Sequence, residues 1–245
     1  MIPRLIMLNA GRRASRGVHH PPIVRASDDH DYVLKLGDRD RDFPACELVA
    51  AMLATAFGVE IPPFALIEVP DDLRAVLALQ GPAWADLAAP QPAGGCFGSR
   101  WIDVATPFTP LLTERIEDRD SFWRLFVFDV FIENGDRQPN NPNVLVQDRR
   151  LVAIDHGQAL PCVQGLRDIG PFGHAAHVLW PVVAADPSRL AASARRLPDD
   201  RDIDDAVACV PAEWWADSGR PAMVRAALRA RRQRTRDILD RLSTP

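Results

Sequence analysis

An apolar helix that runs without a break into a loop crowded with asparagine, and from there into a short β-hairpin, constrains this chain more than any other feature. The helical stretch is SFWRLFVFDVFIEN, capped by Asp120 or Ser121. Ile132–Asn143 reads IENGDRQPNNPN and holds four of the five asparagines in the chain: Asn134, Asn140, Asn141 and Asn143, with only Asn9 elsewhere. Two β runs follow, NVLV and LVAI, joined by a turn over Gln147–Arg150, and Asp155 stands directly after the second. Asparagine suits turns because its short amide bonds its own backbone and tolerates left-handed φ. That reason covers Asn134 and Asn140. It does not cover Asp136, nor the second acidic turn, IDHG at Ile154–Gly157.

Upstream, residues 3–8 (PRLIML) and 22–26 (PIVRA) predict short strands around an irregular loop, GRRASRGVHHP. A better strand is DYVLKL, whose alternation puts Tyr32, Leu34 and Leu36 on one face and Val33 and Lys35 on the other. DFPACELVAAMLATAFG then reads as a helix, with Asp42 as cap, Pro44 in its first turn and Gly58 at its end. Between Pro44 and Phe57 its single charged residue is Glu47, which must reach the rim or find a buried partner. PPFALIEVP predicts a strand, Asp71–Ala89 a helix broken at Gly81-Pro82, and Cys96–Val104 a strand. From about residue 172 the pattern is helical: GHAAHVLW, SRLAASARRL, DIDDAVACV and a long final helix from Arg220 to Leu242. A β-rich first part followed by a helical second part predicts an α+β protein with a cleft between lobes, divided into 1–104 and 105–245.

Composition narrows the class. The 245 residues suffice for one large domain or two lobes, and the net charge of −4 carries no nucleic-acid signature. No apolar run approaches the ~18 residues of a membrane span, and MIPRLIMLNAGRR lacks a signal-peptide core. Cys46, Cys96, Cys162 and Cys209 are scattered singly, which argues against a disulfide framework or zinc site and for the cytoplasm. Of 29 basic residues 28 are arginine, so Lys35 is the sole lysine. A lysine that survives such a bias marks a place for a compact, mobile ammonium rather than a planar guanidinium.

In chain order these residues make the parts for phosphoryl transfer from ATP. A strand lysine holds phosphates and is itself held by a helix carboxylate. A loop Asp takes or orients the nucleophile's proton, an Asn binds metal, and a last Asp bridges Mg²⁺ to the phosphates. Mg²⁺ calls for hard oxygen ligands, completed by phosphate and water. Asp136 to Asn141 is the D-x-x-x-x-N interval of kinase catalytic loops, and Asp155-His156-Gly157 stands where D-F-G would, one hairpin later. Each element alone is weak; their order carries the reading.

NGDRQPNNPNVLV followed by LVAIDHGQAL resembles the catalytic core of HipA-like kinases, and shares its logic with phosphatidylinositol kinases. VRASDDHDYVLKL and FPACELVAAMLATAFGVEIPPFALIEV resemble the HipA-type nucleotide lobe, and CFGSRWI its hinge strand, so the likeness covers about residues 11–160. It implies a two-lobed protein-kinase-like fold, with a β-rich N-lobe carrying one main helix and a mainly helical C-lobe. Lys35 would then be the phosphate lysine, Glu47 its partner and Asp136 the catalytic base, with Asn141 and Asp155 as Mg²⁺ ligands. Adenine would bond backbone near Phe97, Gly98, Ser99 and Arg100. The family implies serine/threonine phosphorylation of a protein substrate, in toxin–antitoxin or stress-response settings with an antitoxin or other regulatory partner. The chain departs from HipA in being shorter, and GRRASRGVHHPP lacks G-x-G-x-x-G, leaving Ser15 as the side-chain contact to phosphate.

The remaining residues carry blander readings. His174 and His177, three apart on the expected helix, are a packed pair, since no third metal ligand lies near. Arg137 reads first as bonding loop carbonyls and second as touching the γ-phosphate, Asn143 at the strand start is second choice to Asn141 as metal ligand, and His156 packs beside Asp155. Seven arginines from Arg220 to Arg236 read first as a solvated face and second as a surface for an acidic partner or nucleic acid. Two rivals remain: a lipid or small-molecule kinase, and a nucleotide-binding pseudokinase that acts as an interaction module.

Overall fold

The computed structural model describes residues 1–14, 20–36, 43–163 and 173–243. Its first part comprises β1 (Arg4–Arg13), β2 (Pro22–Ala26), β3 (Asp31–Lys35), α1 (Phe43–Phe57), β4 (Phe64–Glu68), α2 (Asp71–Leu79), α3 (Ala85–Ala88) and β5 (Cys96–Arg100). The strands close into a barrel in the order β1-β2-β3-β5-β4. All neighbours pair antiparallel except β1 and β4, whose parallel pairing of Arg4 with Leu66 through Ile6 with Glu68 seals it. Inside lie Met7, Val24, Tyr32, Leu34, Ala65 and Ile67, the inward set that strand alternation requires of a small barrel filled by its own side chains.

β1 runs to Arg13, so Gly11, Arg12 and Arg13, expected to open a phosphate loop, are strand residues. The other end of the sheet is shorter than expected, since β5 stops at Arg100 and not at Val104.

α1 is apolar nearly all round and buried nearly all round, because it packs on β3 and β5 on one side and on helices of the second part on the other. Gly58, at φ 77, ends it in the left-handed conformation that glycine adopts without a Cβ penalty. Asp42, the expected cap, lies outside the described residues.

The second part holds β6 (Thr106–Pro107), α4 (Asp120–Ile132), β7 (Val144–Gln147), β8 (Arg150–Ala153), α5 (Trp180–Val183), α6 (Leu190–Ala194), α7 (Asp200–Ala208) and α8 (Arg220–Ser243). The hairpin turns through Asp148 and Arg149, at φ 46 and 64, the two left-handed positions of a type I′ turn. α4 brings Phe122, Phe126, Phe128 and Phe131 into the core, where Phe128 stacks on Phe57 of α1 at 6.0 Å. GHAAHVLW is not one helix: a 3₁₀ turn spans His174–Ala176 and α5 starts at Trp180. Pro181 has no N–H to give, so a helix containing it has to begin there.

The arginines of α8 have intramolecular partners. Arg225, Arg229 and Arg232 pair with Asp200 and Asp204 of α7, and Arg231 reaches Glu133 at the end of α4. Much of the expected basic face is thus a clasp between two helices. No helix among the described residues is long and apolar enough to cross a membrane.

Candidate active site

Three segments far apart in the chain meet at Lys35, the last residue of β3, opposite Phe97 in the ladder. Its Nζ lies 3.2 Å from Glu47 Oε1 and 2.6 Å from Asp155 Oδ1. Glu47, the lone carboxylate of α1, is buried and has found its partner. Its other oxygen accepts the backbone N–H of His156 at 3.1 Å, so one carboxylate ties the end of β3 to the IDHG turn.

The charges support one another. Burial alone would strip the proton from Lys35, but Glu47 and Asp155 carry its pKa above the ordinary lysine value. Burial likewise opposes the charge on Asp155, and the Lys35 ammonium overcomes it, so Asp155 titrates below the usual carboxylate range. For Glu47 burial prevails over Lys35 and raises the pKa. His156, buried and near the Arg137 guanidinium, is pushed down to about 3 and is neutral at ordinary pH.

The turn itself is tightly specified. Asp155 takes φ 55, which few residues other than glycine adopt at low cost. At Gly157 a Cβ would come within 2.1 Å of Phe43 Cζ, so only glycine lets the turn close on the first residue of α1.

The second group of residues hangs from α4. This helix ends at Glu133 in left-handed conformation, φ 56, and the chain turns into the asparagine loop. Asp136 Oδ2 accepts two amide hydrogens, from Asn141 Nδ2 and Asn143 Nδ2, each at 3.0 Å. Beneath it lies Arg137, fully buried. Its Nε donates to Asp129 Oδ2 at 2.7 Å, and its Nη1 to the carbonyls of Asn143 and, at 3.1 Å, of Ile154. Asp129 also accepts from Asn134 Nδ2 at 3.1 Å and lies 3.1 Å from His177 Nε2. His177 Nδ1 accepts the Leu179 N–H, which leaves the proton on Nε2 for Asp129. Burial alone would raise Asp129; Arg137 and His177 hold it below the usual range.

The oxygens assembled here suit a hard divalent cation: the Asp155 carboxylate and the side-chain carbonyls of Asn141 and Asn143. Soft thiolate ligation has no place in such a set.

The profile of the HipA-like kinases matches residues 8–245. The chain belongs to the HipA-like kinase family. Among curated protein sequences none matches it. The crystal structure of the Helicobacter pylori proinflammatory kinase CtkA is similar in fold, with TM-score 0.59 over 99% of this chain and 98% of that one, at 10% sequence identity.

In this HipA-like kinase Lys35, Glu47 and Asp155 form one cluster, and Asp136, Asn141 and Asn143 a second. The expected adenine contact falls on Phe97, Gly98, Ser99 and Arg100. They form the central strand between β3 and β4, and Arg100 N–H is bonded to the Pro63 carbonyl at 2.8 Å. Pro63 has no N–H to return, so the Arg100 carbonyl has no ladder partner on the β4 side. The following stretch, Ile102–Val104, makes no backbone hydrogen bond to the described residues. Ser15 lies outside the described residues.

His174 packs its edge on Trp180 at 4.7 Å, while His177 serves Asp129, so neither is arranged as half of a metal pair. Asp129 escaped the sequence reading. Its signal was the one that marked Glu47, a carboxylate on the inward face of an apolar helix.

Proposed function

We propose that this kinase is a two-lobed enzyme, 1–104 and 105–245, that uses ATP and Mg²⁺ to phosphorylate a serine or threonine hydroxyl of a protein. The observation that carries this reading is the convergence of Lys35, Glu47 and Asp155, with Lys35 and Asp155 separated by 120 positions yet 2.6 Å apart. Such a charge cluster, open to solvent on the Asp155 side, suits polyphosphate.

In this reading Lys35 follows the phosphates as a point charge and Glu47 keeps it in range. The two amides hold Asp136 by Oδ2, leaving Oδ1 for the acceptor hydroxyl. Asp136 takes that proton as the hydroxyl oxygen bonds to the γ-phosphorus, the bond to the β–γ bridging oxygen breaks, and ADP departs. Bound Mg²⁺ would neutralise phosphate charge at Asp155 and an asparagine amide of the catalytic loop. Backbone near Phe97–Arg100 takes the adenine, and Ser15 a phosphate oxygen.

The test is labelled ATP added to cell lysate with wild-type protein and with Asp136→Ala. A band labelled by the wild type and lost in the variant identifies both the reaction and its substrate. Phosphate found only on lipid or on a small molecule would move the acceptor class. Absence of any transfer, with nucleotide still bound, would make the chain a pseudokinase.

A further inference from the structure

A cavity of about 180 Å³ lies between the end of α4, the chain beyond the IDHG turn, and α8. Its walls include Phe131, Ile132, Leu160 and Leu228, all buried. α8 covers it incompletely. Ala227 and Ala230 also line it, three apart and so on one face of the helix, and Ala230 is exposed. Interiors are otherwise close-packed, so two alanines at this spot leave a gap that larger side chains would fill. The size suits a small molecule, since a cavity of about 150 Å³ with similar apolar walls takes up benzene.

One polar group in these walls is not satisfied. Arg231 is 7% exposed, and two of its three guanidinium nitrogens are committed. Nη1 pairs with Glu133 Oε1 at 2.6 Å, and Nη2 donates to the Val130 carbonyl at 2.9 Å. Nε is buried and has no acceptor among the described residues. A buried donor left unmet is costly, and a charged acceptor satisfies a guanidinium best. The lining charges point the same way: among the described residues, Arg231 and Arg234 stand against Glu133 alone. Cys162 adds no charge to the wall, because burial and the Glu133 carboxylate push its thiol up to about 11.

Two edges of the cavity continue into the working site. Glu133, at φ 56, is the residue from which the asparagine loop leaves α4. Leu160, at φ 54, follows the IDHG turn and donates its N–H to the Ile132 carbonyl at 2.7 Å. Two residues with side chains thus hold left-handed backbone, one on each segment, and both line this cavity. Strain of this kind gathers at ligand clamps and switches.

We propose that the cavity is a regulatory site for a small carboxylate with an apolar body. The carboxylate accepts from Arg231 Nε, the body fills the space between Leu160 and Leu228, and occupancy shifts the Asp136 loop through Glu133. Binding stands on the cavity alone. Only its effect on phosphotransfer rests on the kinase reading above.

The test titrates the full chain with two probes, 4-fluorobenzoate and 4-fluorotoluene, followed by fluorine NMR. The wild type should bind the benzoate at least tenfold more tightly than the toluene. Ala227→Phe, which fills the cavity from the half-exposed side of α8, should lower benzoate affinity at least tenfold. Arg231→Lys keeps a cation for Glu133 but removes the Nε donor, and should bring the benzoate down to the level of the toluene. Should Arg231→Lys fail to fold, Ala227→Phe and the ratio of the two probes decide. The site is overturned if the wild type does not bind benzoate, if both probes bind equally, or if Ala227→Phe binds benzoate undiminished. Amide hydrogen exchange at Asn134 and Asp136 reads the coupling, and saturating benzoate should change it at least threefold in the wild type but not in Ala227→Phe. Phosphotransfer should change at least twofold in the same pattern. Exchange that stays constant, or transfer that is measurable yet indifferent to benzoate, overturns the regulatory role. If benzoate binds and exchange responds in a chain that transfers no phosphate, the kinase reading falls and the site stands.

Discussion

Lys35 and Arg137 each sit between a buried carboxylate and a second acceptor, yet the two sites behave oppositely. Around Arg137 nothing is accessible: the side chains of Arg137 and Asp129 are both 0% exposed. Around Lys35 the far partner is open, with the Asp155 side chain 43% exposed. The sealed site uses the planar fork of arginine, which satisfies Asp129 and two carbonyls in fixed directions. The open site uses the only lysine in the chain, a point charge on a flexible stem. The fork holds a frame rigid. The point charge sits where an incoming anion can share it. The one lysine of the chain stands in the open site and not in the sealed one.

Exchanging the two cations puts the contrast to its strongest test. Arg137→Lys leaves acceptors unpaired in the dry site and is expected to cost roughly 3–5 kcal/mol, read by urea unfolding. Lys35→Arg keeps the charge but enlarges a largely buried side chain, and should cost less than Arg137→Lys, about 1–3 kcal/mol, while phosphotransfer falls about 100-fold through misplacement of the phosphates. If instead Lys35→Arg unfolds the protein and Arg137→Lys spares it, the assignment of frame and working site is reversed.

Acid separates the sites next. His156 has an ordinary pKa of 6.5 and a folded value of about 3, so between these pH values the unfolded chain binds a proton that the folded one refuses. Stability therefore falls as pH drops from 6.5 towards 3, by on the order of 4 kcal/mol at full effect. Asp129 and Asp155, both lowered, add losses of the same sign further down, whereas Glu47, raised, opposes them. His156→Phe should flatten the upper part of this slope, measured as unfolding free energy against pH. An unchanged slope would show that His156 is charged in the fold.

A smaller perturbation displaces only the open site. Gly157→Ala places a Cβ against the Phe43 ring and should cost about 1–3 kcal/mol, with a rise in KM for ATP as the IDHG turn moves off Glu47. The double variant with Phe43→Leu should recover part of both. The smallest effect is expected far from either cation. Asp199 caps α7 through the N–H groups of Arg201 and Asp202, and Asp199→Ala should cost about 1 kcal/mol with KM for ATP unchanged.

Much of the site was legible before any coordinates because rare side chains stood in telling company. A lone lysine on a strand, a lone glutamate on an apolar helix and two acidic turns around a hairpin are local patterns, and folding brought the lysine, the glutamate and the second of those turns together. Asp129 carried the same local mark as Glu47 but sat on the helix that had been read only as the lead-in to the loop. The arginines of α8 were legible as a basic face, yet their meaning depended on α7, whose aspartates read equally well as helix-start charges.

What the sequence determined alone was chemistry and order: which residue types are present, on which kind of element, in what succession. Those follow from composition, side-chain periodicity and turn preference, all short-ranged. Tertiary structure decided the rest. The barrel closes through a parallel β1–β4 pairing that no neighbouring residues encode, and β5 becomes its central strand between β3 and β4. The frame around Asp136 is of the same kind, since Asn141 and Asn143 both turn their amides to it and Arg137 ties Asn143 to Ile154. Counting along the chain measures residues, whereas a hydrogen bond responds to distance, and distance here is set by the hairpin register and by one buried guanidinium.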